Sequence, residues 1–343
     1  MRYGHSGSER AAIPLNFLTI YPALIGHRPT MIGIQGHQPI AHHTSPTPGK
    51  IPRALDRRIR SLQTERMPTI ILAFLNDIFL LPRVQDVARS GGYDLESVAN
   101  PQDLGIDDDP IERAIPLTEP LEGAEAILIR QISAMGPGLI LIDATLKSLP
   151  WASWIQVLKT SAATRRIPIL VFGPHVETEA LDRARNMGAD VVITRGTFHK
   201  RMAALLKEHC LPDRTPELQL ACEGQLSAKA LHGIQLHNRG EFFEAHEVLE
   251  QAWIEAAEDE GYLYRALLQF TVAYLHLQRG NRRGAQKMML RIHQWLDPLP
   301  DACRSVDVAT LKAVVAELRA SLTADTSTPT PDHLHPQQIQ LLS

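Results

Sequence analysis

From Thr69 onward, short unbroken apolar runs recur between longer stretches of mixed polarity. "TIILAF", "GLILIDA", "IPILVFG" and "DVVITR" are short for helices, and the middle two are continuously apolar, as strands buried on both faces are. "DLESVA" supplies a further, more polar strand. Between them lie "FLLPRVQDVARSGG", "EGAEAILIRQISAMG", "WASWIQVLKTSAA" and "ETEALDRARNMGA", and after the last strand "FHKRMAALLKEH", all of helical texture. Strand and helix alternate five times over residues 67–210. The pattern predicts an open, parallel five-stranded sheet with helices on both faces.

The texture changes after that. "CLPDRTPELQLACEG", residues 211–225, has no clear period and reads as a linker. From Leu226 the chain reads as wholly helical, with helices expected over 226–239, 241–257, 259–279, 281–296 and 305–323. "NRG" and "QRGN" place glycine stops between them. The expected fold class is therefore multidomain: an α/β sheet domain, then an all-α five-helix bundle over 226–323. Residues 324–343 read as a disordered tail. Residues 1–66 mix His, Pro, Gly and Thr without any period and read as a disordered leader. Composition changes so abruptly at Met67 that the leader reads as non-native, with the working protein starting at Met67.

Bulk numbers narrow the function classes. Of 343 residues, 44% are apolar, enough for real cores, and the net charge of −3 gives no electrostatic case for nucleic acid or an anionic membrane. No uncharged apolar run reaches the roughly 18 residues of a membrane span. Three cysteines, Cys210, Cys222 and Cys303, show no motif spacing, which argues against a disulfide scaffold and fits a reducing cytoplasm. "RGNRRGAQK", with Arg279, Arg282, Arg283 and Lys287, reads as solvated surface rather than as a phosphate site.

The five-fold alternation resembles a response-regulator receiver domain, whose sheet is flavodoxin-like. The resemblance implies a phosphoacceptor aspartate ending strand 3, an acidic pair after strand 1 holding Mg²⁺, a hydroxyl ending strand 4 and a lysine ending strand 5. Asp143 falls at the phosphoacceptor place. The acidic pair is reduced to Asp77, strand 4 ends at Gly173 with Pro174 next, and strand 5 ends at Arg195. Mg²⁺ needs hard oxygen ligands, and an aspartyl nucleophile needs that ion to neutralise phosphate charge. These departures point to a pseudo-receiver: the fold kept, the chemistry lost.

The stretch "GEFFEAHEVLEQAW" poses a second question. On one helix His246, Glu250 and Trp253 stand at i, i+4 and i+7 and share a face, flanked by Phe243 and Glu247. With "RALLQFTVAYLHLQRGNRRGAQKMM" after it, this stretch resembles domain-of-unknown-function family 309, a small all-helical domain marked by His-x-x-x-Glu-x-x-aromatic. The resemblance covers residues 226–297 and implies metal binding but no activity. His and Glu one turn apart can share one ion, but a site needs three or four ligands. The next helix offers Gln269 and His276 on one stripe. Two readings stand: a divalent metal held by His246, Glu250 and His276, or a buried polar network in which His246 bonds Glu250 or Gln269 and His276 caps a helix end near Gly280.

These features point to a cytoplasmic regulatory or interaction protein, not an enzyme, with a pseudo-receiver coupled to the helical domain. The expected partner is another protein or a second copy of the chain. The alternative is a metal-dependent enzyme with its site in the bundle.

Overall fold

The structure, a computed structural model, describes residues 68–107, 120–323 and 337–342. The expected leader and the proposed start at Met67 lie outside the described residues.

Five strands form one parallel sheet: β1 (Thr69–Phe74), β2 (Tyr93–Val98), β3 (Leu139–Asp143), β4 (Ile169–Gly173) and β5 (Val191–Thr194), in the order β2-β1-β3-β4-β5. That order is the doubly wound arrangement shared by flavodoxin-like and receiver folds. The continuous apolar runs fall where the sequence puts them. Every residue of β3 and β4 is buried, while the edge strands β2 and β5 are only partly covered.

Period two divides each strand between two cores. Leu72, Phe74, Ile140, Ile142 and Val171 face α2 (Gly123–Met135) and α3 (Trp151–Thr160), where the Phe74 ring meets the edge of Trp154 at 5.5 Å. Ile71, Ala73, Leu139, Leu141 and Phe172 share the second core with residues of α1 (Leu80–Ser90) and α5 (Arg195–His209), where Phe172 stacks on Phe198 at 4.1 Å. Helix α4 (Thr178–Asn186) links β4 to β5.

The second half carries α6 (Thr215–Cys222), α7 (Ala228–Asn238), α8 (Phe242–Glu255), α9 (Glu260–Gln278), α10 (Arg282–Arg291), the short α11 (His293–Leu296) and α12 (Val308–Thr323). Gly240 and Gly280, with φ of 80° and 69°, stop α7 and α9 in the left-handed conformation, as "NRG" and "QRGN" predict. A two-residue hairpin, β6 (Ala302–Cys303) and β7 (Val306–Asp307), precedes α12.

Three expectations change here. The stretch read as a linker contains helix α6, whose Leu218 and Cys222 are buried four residues apart. A helix of eight residues shows too little of its period to be read reliably. Cys222 is bonded to Cys303, across 81 residues, so the cysteines do form a disulfide. Spacing cannot reveal a pair drawn from α6 and β6. Cys210 is the free cysteine, and burial pushes its thiol up to about 11. Finally, part of the tail read as disordered is docked. The Nε2–H of His237 donates to the carbonyl of Gln337 at 3.1 Å, and Ile339 is buried.

The sheet and the helices share a core. Leu290 of α10 is buried in the apolar cluster between the sheet, α2 and α3. The Ser133 hydroxyl on α2 donates to the Leu290 carbonyl at 2.8 Å, and Gln294 Nε2 donates to the Ala162 carbonyl at 3.2 Å.

His237, packed against Phe242, Phe270 and Tyr274, links the helical half to pH. Its ring is fully buried, and desolvation pulls its pKa down to about 4, against the smaller opposing effect of the Gln337 carbonyl. A folded value below the unfolded one favours the neutral ring, so the fold is stabilised above the unfolded value near 6.5 and loses that stability as pH falls toward 4. The loss reaches roughly 3 kcal/mol. His276, lowered by burial and by the charges of Arg279 and Arg291, adds to the same trend. Urea unfolding measured between pH 7 and 4.5 is expected to show this decline, and His237→Gln is expected to flatten most of it. An unchanged slope in that variant would place the linkage elsewhere.

Candidate functional site

At the carboxyl ends of the strands, Asp77 follows β1, Asp143 ends β3 and Arg195 follows β5. Asp77 is held by the backbone it caps: its Oδ1 accepts from the N–H groups of Phe79 at 2.9 Å and Leu80 at 3.0 Å. Those two bonds, and then the charge of Arg195, lower its pKa, against the cost of burial. Asp143 is buried, and its Oδ1 accepts from the Thr145 N–H at 3.0 Å and the Thr145 hydroxyl at 2.7 Å.

The other oxygens of the two carboxylates meet one guanidinium. Arg195 Nη1 donates to Asp77 Oδ2 at 3.2 Å, and its Nη2 donates to Asp143 Oδ2 and, at 3.1 Å, to Thr145 Oγ1. The side chain starts at β5 and reaches past β4 to the ends of β3 and β1. A planar fork with two separate donors suits that bridge, whereas a lysine ammonium is a single point. At the end of β4, a Cβ on Gly173 would stand 3.1 Å from Ala144 Cβ and 3.3 Å from Leu181 Cδ2, so a side chain there is a tight fit that its neighbours must yield to by a few tenths of an ångström.

This donor set does not fit the Mg²⁺ that a receiver resemblance implies. Mg²⁺ demands several oxygens at about 2.0–2.1 Å. Here the two available carboxylates already share an internal cation. Sequence reading marks Arg195 as a departure from lysine but misses its role. The signal was present: an arginine offers two separate donor pairs in a rigid, always-charged fork, which suits a bridge between two carboxylates.

The motif helix α8 sets His246 beside Glu250. His246 is mostly buried. Its Nδ1–H donates to the Phe243 carbonyl at 3.0 Å, which turns Nε2 toward Glu250 Oε2 at 4.0 Å. His276 is engaged at the end of α9, where the Asn281 side-chain amide donates to its Nδ1 at 3.1 Å. Gln269 is buried, and its Oε1 has no hydrogen-bond partner among the described residues. Glu247 is exposed. Among the described residues, no group of three or more His, Cys, Asp or Glu side chains is placed to hold a metal ion.

Trp253, the aromatic residue of the motif, has a different role. The Arg265 guanidinium lies 4.5 Å from its ring centroid and 4.2 Å from that of Trp295, and Arg166 lies 4.6 Å from the Trp295 ring. The resulting ladder, Trp253–Arg265–Trp295–Arg166, runs from the motif helix to the segment that enters β4. Sequence reading misses it because Arg265, Trp295 and Arg166 come from three separated stretches. Removing one stacked cation costs about 0.5–2 kcal/mol per ring. Arg265→Ala is therefore expected to lower the unfolding free energy by about 1–3 kcal/mol and to change tryptophan fluorescence, because Trp253 loses its stacked charge and Trp295 keeps only that of Arg166. Unaltered emission with unaltered stability would contradict the ladder.

Comparison with known proteins follows the same division. A phosphorylated cyanobacterial phytochrome response regulator superposes at 11% identity and a TM-score of 0.30, over 42% of this chain and 94% of its own. A chemotaxis response regulator of Vibrio cholerae does so at 15% identity and 0.29, over 41% of this chain and 100% of its own. The strand order, rather than these overlaps, carries the receiver-like fold. Comparison with curated proteins gives no match. Residues 230–288, behind the receiver-like sheet, match the family described as domain of unknown function DUF309.

Proposed function

We propose that this chain is a regulatory protein whose receiver-like half works without phosphoryl transfer, as a cytoplasmic pseudo-receiver joined to its helical half. The observation that carries this reading is the Arg195 bridge between Asp77 and Asp143. An aspartyl nucleophile needs a free carboxylate oxygen and a metal to offset phosphate charge. Both Asp143 oxygens accept hydrogen bonds, and the counter-charge is a fixed side chain.

Two further features support an interaction role. At the same end of the sheet, Ile78 and Phe79 are 75% and 85% exposed, apolar side chains suited to a protein partner. At the other side, α10 and α11 share their packing with α2 and α3, so a change in the sheet is felt in the helices. Among the described residues, no helix is long and apolar enough to cross a membrane. The His246–Glu250 pair is read as part of the polar packing of α8 rather than as an enzyme's metal centre.

Incubation with acetyl phosphate and Mg²⁺, followed by intact-mass spectrometry, tests the proposal. The expected result is no phosphoryl adduct on the native chain. A stoichiometric adduct that disappears in Asp143→Asn would overturn the pseudo-receiver.

A further inference from the structure

The last described residues bind the rest of the chain almost entirely through their backbone. The Gln337 carbonyl accepts from His237 Nε2. Asn238 pairs with Ile339 in both directions, its Nδ2 donating to the Ile339 carbonyl at 3.0 Å and its Oδ1 accepting from the Ile339 N–H at 2.8 Å. Asp307 N–H donates to the Gln340 carbonyl at 3.0 Å, and Leu342 N–H donates to the Ser305 carbonyl at 2.7 Å. Leu341 forms an antiparallel bridge with Val306. One side chain, Ile339, is buried, while Gln337, Gln338, Gln340, Leu341 and Leu342 remain exposed.

That is how a sheet edge reads an added strand: main-chain bonds supply affinity and one pocket supplies selectivity. The receiving edge is rigidly built. The hairpin turn places Arg304 and Ser305 at φ of 50° and 65°, a conformation that costs non-glycine residues energy and persists where the surroundings fix it. Cys303 is fixed to Cys222 by the disulfide. Arg304 donates from Nε to the Ala221 carbonyl at 2.9 Å, from Nη1 to the Gln225 carbonyl and from Nη2 to Glu260, and its N–H donates to the Cys222 carbonyl at 2.8 Å.

We propose that the edge formed by Val306, Asn238 and His237 is an acceptor site for an extended, uncharged peptide with one aliphatic anchor, and that the chain's own Gln337–Leu342 is its resident occupant. The chemistry follows from the seated segment, which has no charged side chain and one buried isoleucine. Because the edge reads backbone, a foreign strand of the same pattern competes with the tail. The site lies apart from the Asp143 centre and does not rest on its assignment.

The probe is a fluorescein-labelled Gln-Gln-Ile-Gln-Leu-Leu peptide, followed by fluorescence anisotropy on the full chain. Ile339→Asp expels the resident anchor, and this variant is expected to bind the probe at least ten-fold tighter than the native chain. Adding Asn238→Ala to it is expected to abolish the gain. Leu342→Pro, which removes one donor from an exposed residue, is expected to give an intermediate gain and serves if the first variant does not fold. Conversion of a native dimer to monomer by the probe would also support the acceptor, with a second copy's tail as occupant. Equal, weak binding by the native chain and a folded release variant, or binding indifferent to Asn238, would overturn the proposal.

Discussion

Two carboxylates stand at the ends of neighbouring strands because one guanidinium lies between them. Asp143 is buried, and a buried carboxylate without a partner costs several kcal/mol. Arg195 supplies the charge, and Thr145 fills the remaining hydrogen-bonding capacity with its N–H and hydroxyl. The bridge needs an arginine at the start of α5, open space past β4, and an Asp77 already fixed as the cap of α1. Gly173, packed against Ala144 and Leu181, supplies no hydroxyl at the end of β4, where phosphoryl chemistry would place one. The Arg195 guanidinium thus occupies the place between the two carboxylates.

The helical half is attached to that sheet by packing rather than by a tether. Leu290 completes a core that belongs to the sheet, and the Ser133 hydroxyl satisfies the Leu290 carbonyl beside it. The aromatic–cation ladder extends the joint. Arg265 lies within 4.5 Å of the centroids of two indoles, and Arg166 lies 4.6 Å from that of the second. A guanidinium suits this position because its weakly hydrated plane stacks while its edges still donate hydrogen bonds. The DUF309 tryptophan thus contributes to the connection between the two halves, which the His-x-x-x-Glu spacing alone does not suggest.

How much of this could be read from sequence depends on how local the cause is. The apolar runs of β3 and β4 and the five long helices were legible because burial repeats within each element. Glycine stops at Gly240 and Gly280 were legible because backbone conformation is local. Helix α6 was hidden by its shortness, and the disulfide by the distance between Cys222 and Cys303. The docked tail was hidden because its contacts use backbone atoms, which any sequence carries. His246 and Glu250 are neighbours, as one helical turn requires, and His276 stands at the helix end that the Gly280 stop marks. Arg195 was visible as an anomaly; that it reaches two carboxylates depends on strand order, a tertiary fact.

The place of the cation decides the account. Crystals grown with Mn²⁺ and beryllofluoride, measured at the manganese absorption edge, report directly on what sits between Asp77 and Asp143. The account predicts the Arg195 guanidinium in that position and no anomalous peak. A manganese ion ligated by both carboxylates, with Arg195 swung away and beryllofluoride on Asp143, would contradict it.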